Sequence, residues 1–334
     1  MLALDIGGTK IAAALVDPAG GLTGRRTVPT PAARGARAVL GAALALAGEV
    51  SAEAERGGAA RGSIAAVGVG SAGVIDSAAG VVTHATDALP GWPGTPLADA
   101  FGASLGVPAR VLNDVHAHAL GEARYGAGRE ATSMLLVAVG TGVGGGYVSN
   151  GAVSVGAHSV AGHVGHVSVP EAAGVRCSCG RTGHLEGLAS GPGLLAAYRR
   201  AGGTADSTYD VVAATADGGA AGELARQTIS LCGRATGRAI GGLLNVLDPE
   251  VVVLTGGVSG IGEAWWAAVR EGVALFPRKR SCPGTSTNAT CVPEGSSVHA
   301  KPRSMVSPRC FSSSQRSGSM PVSARTRVLL PWST

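Results

Sequence analysis

Aromatic residues are scarce in this chain: Phe, Tyr and Trp together make up 3% of 334 positions. The core must therefore be built from Ala, Val, Leu and Ile. No apolar run reaches the length of a membrane span, and Asp5 interrupts the opening MLALDIGG too early for a signal peptide. The six cysteines show no secreted disulfide framework. No Lys/Arg stripe with interleaved aromatics crosses the body; the net charge of +5 owes much to residues beyond 276, so nucleic-acid binding is not expected. These absences point to a soluble, cytoplasmic protein. Hydrophobic content of 45% excludes wholesale disorder, and the length allows one large domain or two moderate ones. The 54 glycines are read as the trace of GC-rich coding, without a function of their own.

The densest chemistry lies in Val160–Glu186, VAGHVGHVSVPEAAGVRCSCGRTGHLE. Cys177 and Cys179 stand at C-x-C spacing, with His166 upstream and His184 downstream. Four N/S ligands suit a closed tetrahedral zinc site, and four protein ligands leave no open position for water. A structural Zn²⁺ is therefore expected, in a segment with little apolar periodicity of its own. His163 and Glu186 remain unspent at either end of the knot and could point at a substrate.

Elsewhere, apolar strands run into glycine-rich turns three times. Met1–Ile6 leads into Gly7-Gly8-Thr9-Lys10, and Ile11–Val16 returns as a strand. That tip suits a polyphosphate, and Asp5 could hold a hydrated Mg²⁺. Met134–Val139 leads into a glycine run, 140–146, before strand resumes at Tyr147; no Rossmann helix follows. Val251–Leu254 leads into Thr255-Gly256-Gly257, where a flat base or ribose could lie on the backbone. Between these, strand Ala109–Leu112 ends in Asn113-Asp114, ahead of a helix over Val115–Tyr125. A polar pair at the carboxyl end of a strand sits where α/β proteins place ligands. Asn113 can bond a polar substrate, and Asp114 can act as general base or merely cap the helix. His116 and His118 read as ordinary helix residues.

Taken together, DIGGTK at 5–10, LNDVHAHALGE at 112–122, VAVGTGVGGG at 137–146, AGHVGHVSV at 161–169, CSCGRTGHLEGLASG at 177–191 and LTGGVSG at 254–260 resemble the ROK family of bacterial repressors and sugar kinases. The resemblance runs to about Ala274. It implies an α/β, actin-like (ribonuclease H-like) ATPase fold with two lobes around a cleft: residues 1–114 with the first phosphate loop, and 115–276 with the rest. It implies ATP and Mg²⁺ at Asp5, Gly7, Gly8, Thr9, Lys10, Gly140, Thr141, Gly142, Gly144, Gly256 and Gly257. Asp114 resembles the catalytic base, and Asn113, His163, His166 and Glu186 resemble sugar ligands. His166, Cys177 and Cys179 resemble zinc ligands, with His184 standing where the family has a third Cys.

The activity this implies is ATP-dependent phosphorylation of the 6-hydroxyl of a hexose or N-acetylhexosamine, by a homodimer. His163 replaces the Glu usual in glucokinases and resembles N-acetylmannosamine kinases, so N-acetylmannosamine is favoured over glucose; DALPGW at 87–92 looks glucokinase-like. The family's repressors carry a winged-helix module ahead of the first glycine loop, which here starts at residue 7, so a kinase is expected. Residues 277–334 are rich in Ser, Arg and Pro, and do not resemble the family's closing helix. They are expected to be disordered, and a frameshift near codon 277, leaving an inactive sugar-binding remnant, would produce such a tail.

Overall fold

The computed structural model describes residues 1–58 and 62–276, and the backbone of 327–329. Residues 1–276 and the strand at 327–329 belong to one compact unit. The strands are β1 (Leu2–Ile6), β2 (Lys10–Val16), β3 (Leu22–Pro29), β4 (Val67–Ser71), β5 (Val74–Asp76), β6 (Val81–His84), β7 (Ala109–Asn113), β8 (Ser133–Val139), β9 (Val143–Ser149), β10 (Ala152–Val153), β11 (Val251–Thr255) and β12 (Arg327–Leu329). The helices are α1 (Ala36–Arg56), α2 (Leu97–Leu105), α3 (Asp114–Tyr125), α4 (Leu185–Ala189), α5 (Gly191–Arg200), α6 (Thr208–Ala214), α7 (Gly219–Leu247) and α8 (Glu263–Ala274).

Two five-stranded sheets share one plan. The first runs β3-β2-β1-β4-β7 and the second β10-β9-β8-β11-β12. Each opens with an antiparallel meander; beside its first strand the first sheet then adds two parallel strands, β4 and β7, and the second adds the parallel β11, with β12 antiparallel at its far edge. The plan repeats although no tandem repeat is visible in the sequence. In the first sheet, Asp5 pairs in register with Gly70, and Ser71 with Asn113. Three parallel strands therefore end together, and the loops that leave them share one edge. In the second sheet β8 and β11 end together in the same way, with Ala138 opposite Thr255.

The aliphatic core expected from the composition is present. Leu2, Leu4, Ile6 and Ile11 pack on Val39, Leu46 and Val50 of α1. Leu135, Val137, Val252 and Leu254 pack with residues of α7 and α8. The few aromatics are concentrated: Trp92, Phe101 and Trp265 are fully buried. The Trp92 indole donates to Ser71 Oγ at 3.1 Å, tying the 87–96 loop to the end of β4.

Some glycines do structural work that the composition hid. A Cβ at Gly237 would lie 2.0 Å from Val269 O, and one at Gly272 would lie 2.3 Å from Arg234 O. Real Cβ atoms do not approach that closely, so α7 and α8 meet backbone to backbone only because those residues lack side chains. Gly144, Gly145 and Gly146 also differ from expectation. They are strand residues of β9, paired with Ala138, Val137 and Leu136. A Cβ at Gly146 would lie 2.7 Å from Ala119 Cβ of α3. The true tip is Gly140–Gly142, and the glycines after it let α3 settle on the sheet.

Other boundaries also moved. β3 was not expected, because LTGRRTVP lies exposed at the sheet edge and carries no alternation. α4 and α5 are separate helices, parted where Ser190 Oγ accepts from Gly193 N at 3.1 Å and caps α5. Disorder was expected throughout 277–334. Most of that segment, including the frameshift reading, lies outside the described residues. Arg327–Leu329, however, adds an antiparallel strand to the edge of β11. No helix among the described residues is long and apolar enough to cross a membrane.

Candidate functional site

A cavity of about 680 Å³ opens where the strand ends of the two sheets face each other. Asn113, Asp114, Gly140, Gly142, Gly144, His163, His166, Glu186 and Gly256 all line it. Asp5, Gly7, Gly8, Thr9, Lys10, Thr141 and Gly257 do not. Two of these neighbour the wall: a Cβ on Gly8 would lie 3.3 Å from that of Ala88, a lining residue, and one on Gly140 would lie 4.0 Å from Gly257 N. The first glycine turn is tightly closed. Gly7 N donates to Lys10 O at 3.1 Å, Thr30 N to Thr9 O at 3.0 Å and Thr30 Oγ1 to Gly7 O at 2.7 Å. Thr9 and Lys10 stay exposed.

Asp114 is held by its neighbour. The expected capping role belongs to Asn113, whose Oδ1 accepts from Val115 N at 3.0 Å and His116 N at 3.2 Å. Those two N–H donors fix the amide's orientation. Asn113 Nδ2 then donates to Gly73 O at 2.9 Å and to Asp114 Oδ1 at 2.8 Å. Val115 N also donates to Asp114 Oδ1, at 2.9 Å. One asparagine thus caps the helix, anchors the β4 loop and aims a carboxylate.

Burial raises the Asp114 carboxyl above the ordinary aspartate range, although its hydrogen bonds pull the other way. Asp5 is also raised, by burial first and by the charge of Asp114 second, while Lys10 and His118 oppose the shift. Asp5 is exposed along part of its surface, but the protein packed around it still disfavours its charge. Two carboxylates close enough to feel each other, both raised first by burial, are a fitting place for a divalent cation.

Glu186 bridges two elements. Its Oε2 accepts from Val143 N at 2.9 Å, at the foot of the second glycine turn. Its Oε1 accepts from Ser178 Oγ. Gly142 must be bare for this, since a Cβ there would lie 2.8 Å from Glu186 Oε2. His163 is half-buried, and burial, then His166, then His116 push its imidazole down. It therefore presents one donor and one acceptor at neutral pH.

The four expected metal ligands converge. Donor atoms of His166, Cys177, Cys179 and His184 all lie within 4.8 Å of one another. Cys177 Sγ is 3.7 Å from His166 Nδ1, and Cys179 Sγ is 3.2 Å from His184 Nδ1. Ligand bonds of about 2.0–2.3 Å in a tetrahedron need spacings of this order. Donor type and spacing therefore both fit Zn²⁺.

Sequence reasoning missed Ser178, Gly73 and His116. A serine inside C-x-C carries no signal of its own, and a helix histidine without a visible partner reads as an ordinary helix residue.

The ROK family model matches residues 1–282. The chain belongs to the ROK family. It is 35% identical over 276 residues to N-acetylmannosamine kinase from Escherichia coli, spanning 83% of this chain and 89% of that protein. It is 30% identical over 293 residues to glucokinase from Halalkalibacterium halodurans, spanning 84% and 87%. Among solved structures, ROK hexokinase from Thermus thermophilus superposes with a TM-score of 0.70 at 32% identity, over 83% of this chain and 88% of that one. A ROK glucokinase from Streptomyces griseus, crystallised with glucose and AMPPNP, gives 0.68 at 29% identity, over 83% and 89%. These relatives are sugar kinases, and the paired sheets described above are the actin-like ATPase fold of this family.

Proposed function

We propose that this ROK protein is an ATP-dependent kinase that phosphorylates the 6-hydroxyl of a hexose or N-acetylhexosamine, with N-acetylmannosamine favoured. The observation that carries the reading is Asp114: a carboxylate aimed into the cavity by Asn113, with its basicity raised by burial. Oδ1 carries the orienting bonds, which leaves Oδ2 to take the proton as the sugar hydroxyl attacks the γ-phosphorus. The Gly7–Lys10 and Gly140–Gly142 turns offer backbone N–H groups to the phosphates. Mg²⁺ carried with ATP would neutralise phosphate charge, and Asp5 is the carboxylate at hand to hold it. Phosphoryl transfer relies mostly on such positioning and charge stabilisation. The Cys₂His₂ cluster would hold a structural Zn²⁺ that supplies no chemistry and shapes the wall carrying His166 and Glu186.

The choice of sugar rests on His163. A carboxylate can accept from two sugar hydroxyls, whereas an imidazole offers one contact per nitrogen. Glucose is the alternative, supported by the glucokinase relatives and by the loop around Trp92. A coupled ADP-release assay with N-acetylmannosamine, glucose, mannose and N-acetylglucosamine tests both. N-acetylmannosamine should give the highest kcat/KM, and His163→Glu should shift preference toward glucose by about tenfold, the size of one well-placed hydrogen bond. No turnover of any sugar by folded wild-type protein would sink the kinase reading and favour an inactive remnant with an altered C-terminus. Translating the other frames of the gene beyond codon 277 checks that origin: a restored apolar helix supports it. A homodimer in the cytoplasm belongs to the same proposal, and light scattering reads the mass.

Ser178 should matter for the sugar more than for ATP. Ser178→Ala removes the donor to Glu186 Oε1. Because Ser178 is exposed, the expected rise in the sugar KM is modest, about three- to fivefold, less than a buried charge-assisted bond would give. The KM for ATP and the zinc content should stay unchanged, as enzyme kinetics and metal analysis would show.

A further inference from the structure

We infer that His116 is a positioning residue that ties the helix bearing Asp114 to the loop bearing His163; this rests on the kinase reading above. His116 is only 2% exposed, although polar, and it does not line the cavity. It stands two residues after Asp114 on α3, so at about 100° per residue its side chain leaves a different face of the helix. That face meets β9 and the 155–163 loop.

Its Nε2 lies 2.7 Å from Ala161 O. A carbonyl can only accept, so Nε2 carries the proton and donates. The bond joins residues 45 apart in sequence. The loop's other backbone hydrogen bonds stay local: Ala161 N to Val155 O, Ser159 N to Gly156 O and His163 N to Val160 O. Tight packing leaves the tether no slack. Gly162, at φ +81°, lies so close to β9 that a Cβ would sit 2.4 Å from Gly145 O, and one on Gly146 would sit 3.6 Å from His116 Cδ2.

Two residues beyond the tethered carbonyl stands His163, and His166 N donates to His163 O at 3.0 Å. The Ala161 carbonyl therefore fixes where the backbone enters the turn that carries both imidazoles. Asp114 and His163 face the same cavity from different segments, and His116 sets the register between them. A core histidine with only a packing role would support the fold but would not discriminate between the two substrates.

The test compares three variants in the full chain: His116→Phe keeps a ring without a donor, His116→Gln keeps a long amide donor, and His116→Asn has a donor too short to reach. Each is assayed for the KM of the sugar and of ATP, for kcat, and for hydrogen exchange of 155–163. For His116→Phe and His116→Asn the sugar KM should rise on the order of tenfold, with the ATP KM within about twofold, since one buried hydrogen bond is at stake. Exchange in 155–163 should quicken while β8 stays protected. His116→Gln should recover most of both. Equal losses for sugar and ATP, or no difference between the Gln and Asn variants, would overturn the assignment. If the wild type turned over no sugar, the kinase reading would fall, and exchange in the loop would still decide whether the tether exists. Should the Phe variant not fold, the Gln and Asn pair decides alone.

Discussion

Asp114→Asn is expected to reduce kcat by about a thousandfold while leaving both KM values within a few-fold. A positioned general base contributes on the order of 10²–10⁴ in rate, and the amide cannot take the hydroxyl proton. Its size matches the carboxylate, so Asn113 and Val115 N, which meet Oδ1 at 2.8 and 2.9 Å, still have an oxygen to bond. The same substitution should raise the thermal midpoint at neutral pH. Burial holds the Asp114 carboxyl above its ordinary range, and Asp5 is raised partly by it. A group whose pKa is raised on folding favours the fold while protonated, and that contribution is lost as pH rises through the folded-state pKa. Once the carboxyl ionises, above its folded-state pKa, the native state carries a charge it solvates poorly, and the neutral amide removes it. For the same reason the acid limb of the kcat profile should lie above the range of an ordinary aspartate, near 4. A calorimetric scan and a pH–rate profile check both. Lost activity together with a lower midpoint would mean that Asp114 is mainly a structural acceptor.

The strands that build the site were legible because each is a short apolar run ending at glycine or a polar pair. Their convergence needed the structure, since nothing local says that Ile6, Ser71 and Asn113 end on one edge. The register does: Asp5 faces Gly70, and Ser71 faces Asn113. The His/Cys cluster proposed to hold zinc was legible for a different reason. Four soft donors in under twenty residues leave few other readings, and the loop closes them to within 4.8 Å. What stayed hidden was mostly a second use of a residue already noticed. Asn113 was read as a ligand and is also the cap, because a polar pair before a helix does not say which member turns back. His116 was read as an ordinary helix residue, because its partner, Ala161 O, is a backbone atom 45 residues away. Glycine was read as composition, while at Gly237 and Gly272 it sets how closely two helices meet. At Gly256 it carries a φ of +93° and a Cβ there would lie 2.3 Å from Val139 O, so bare backbone is what reaches the cavity.

Stripping the metal should disable sugar binding more than nucleotide binding. The 160–186 segment has few regular elements of its own; single bridges, Ser168 to His184 and Arg176 to Thr182, stitch it together. Structural zinc in small loops is worth about 10–16 kcal/mol of apparent binding free energy at pH 7, which is folding free energy where the loop cannot hold its shape otherwise. Two cavity groups depend on that shape. His166 is itself a ligand candidate and lines the wall, and Glu186 takes a bond from Ser178, which stands between Cys177 and Cys179. Losing one or two charge-assisted hydrogen bonds at about 1.5–3 kcal/mol each gives at least a tenfold loss of sugar affinity. The phosphate turns lean less on the knot. Gly140 is held from α5 by Gly191 N at 2.8 Å, and the Gly7–Lys10 turn by Thr30. Treatment with a strong chelator should release close to one zinc per chain, lower the thermal midpoint by several degrees, and raise the sugar Kd on the order of tenfold or more with a much smaller change for ATP. Cys177→Ser should behave alike without chelator. His184→Cys should keep the metal, because a Cys₃His set satisfies the same tetrahedron, whereas His184→Ala should weaken it. Metal analysis, calorimetry and sugar binding measured without nucleotide read all of this independently of turnover. Release of zinc with no change in sugar affinity would separate the knot from the cavity and leave Glu186 anchored by Val143 N alone.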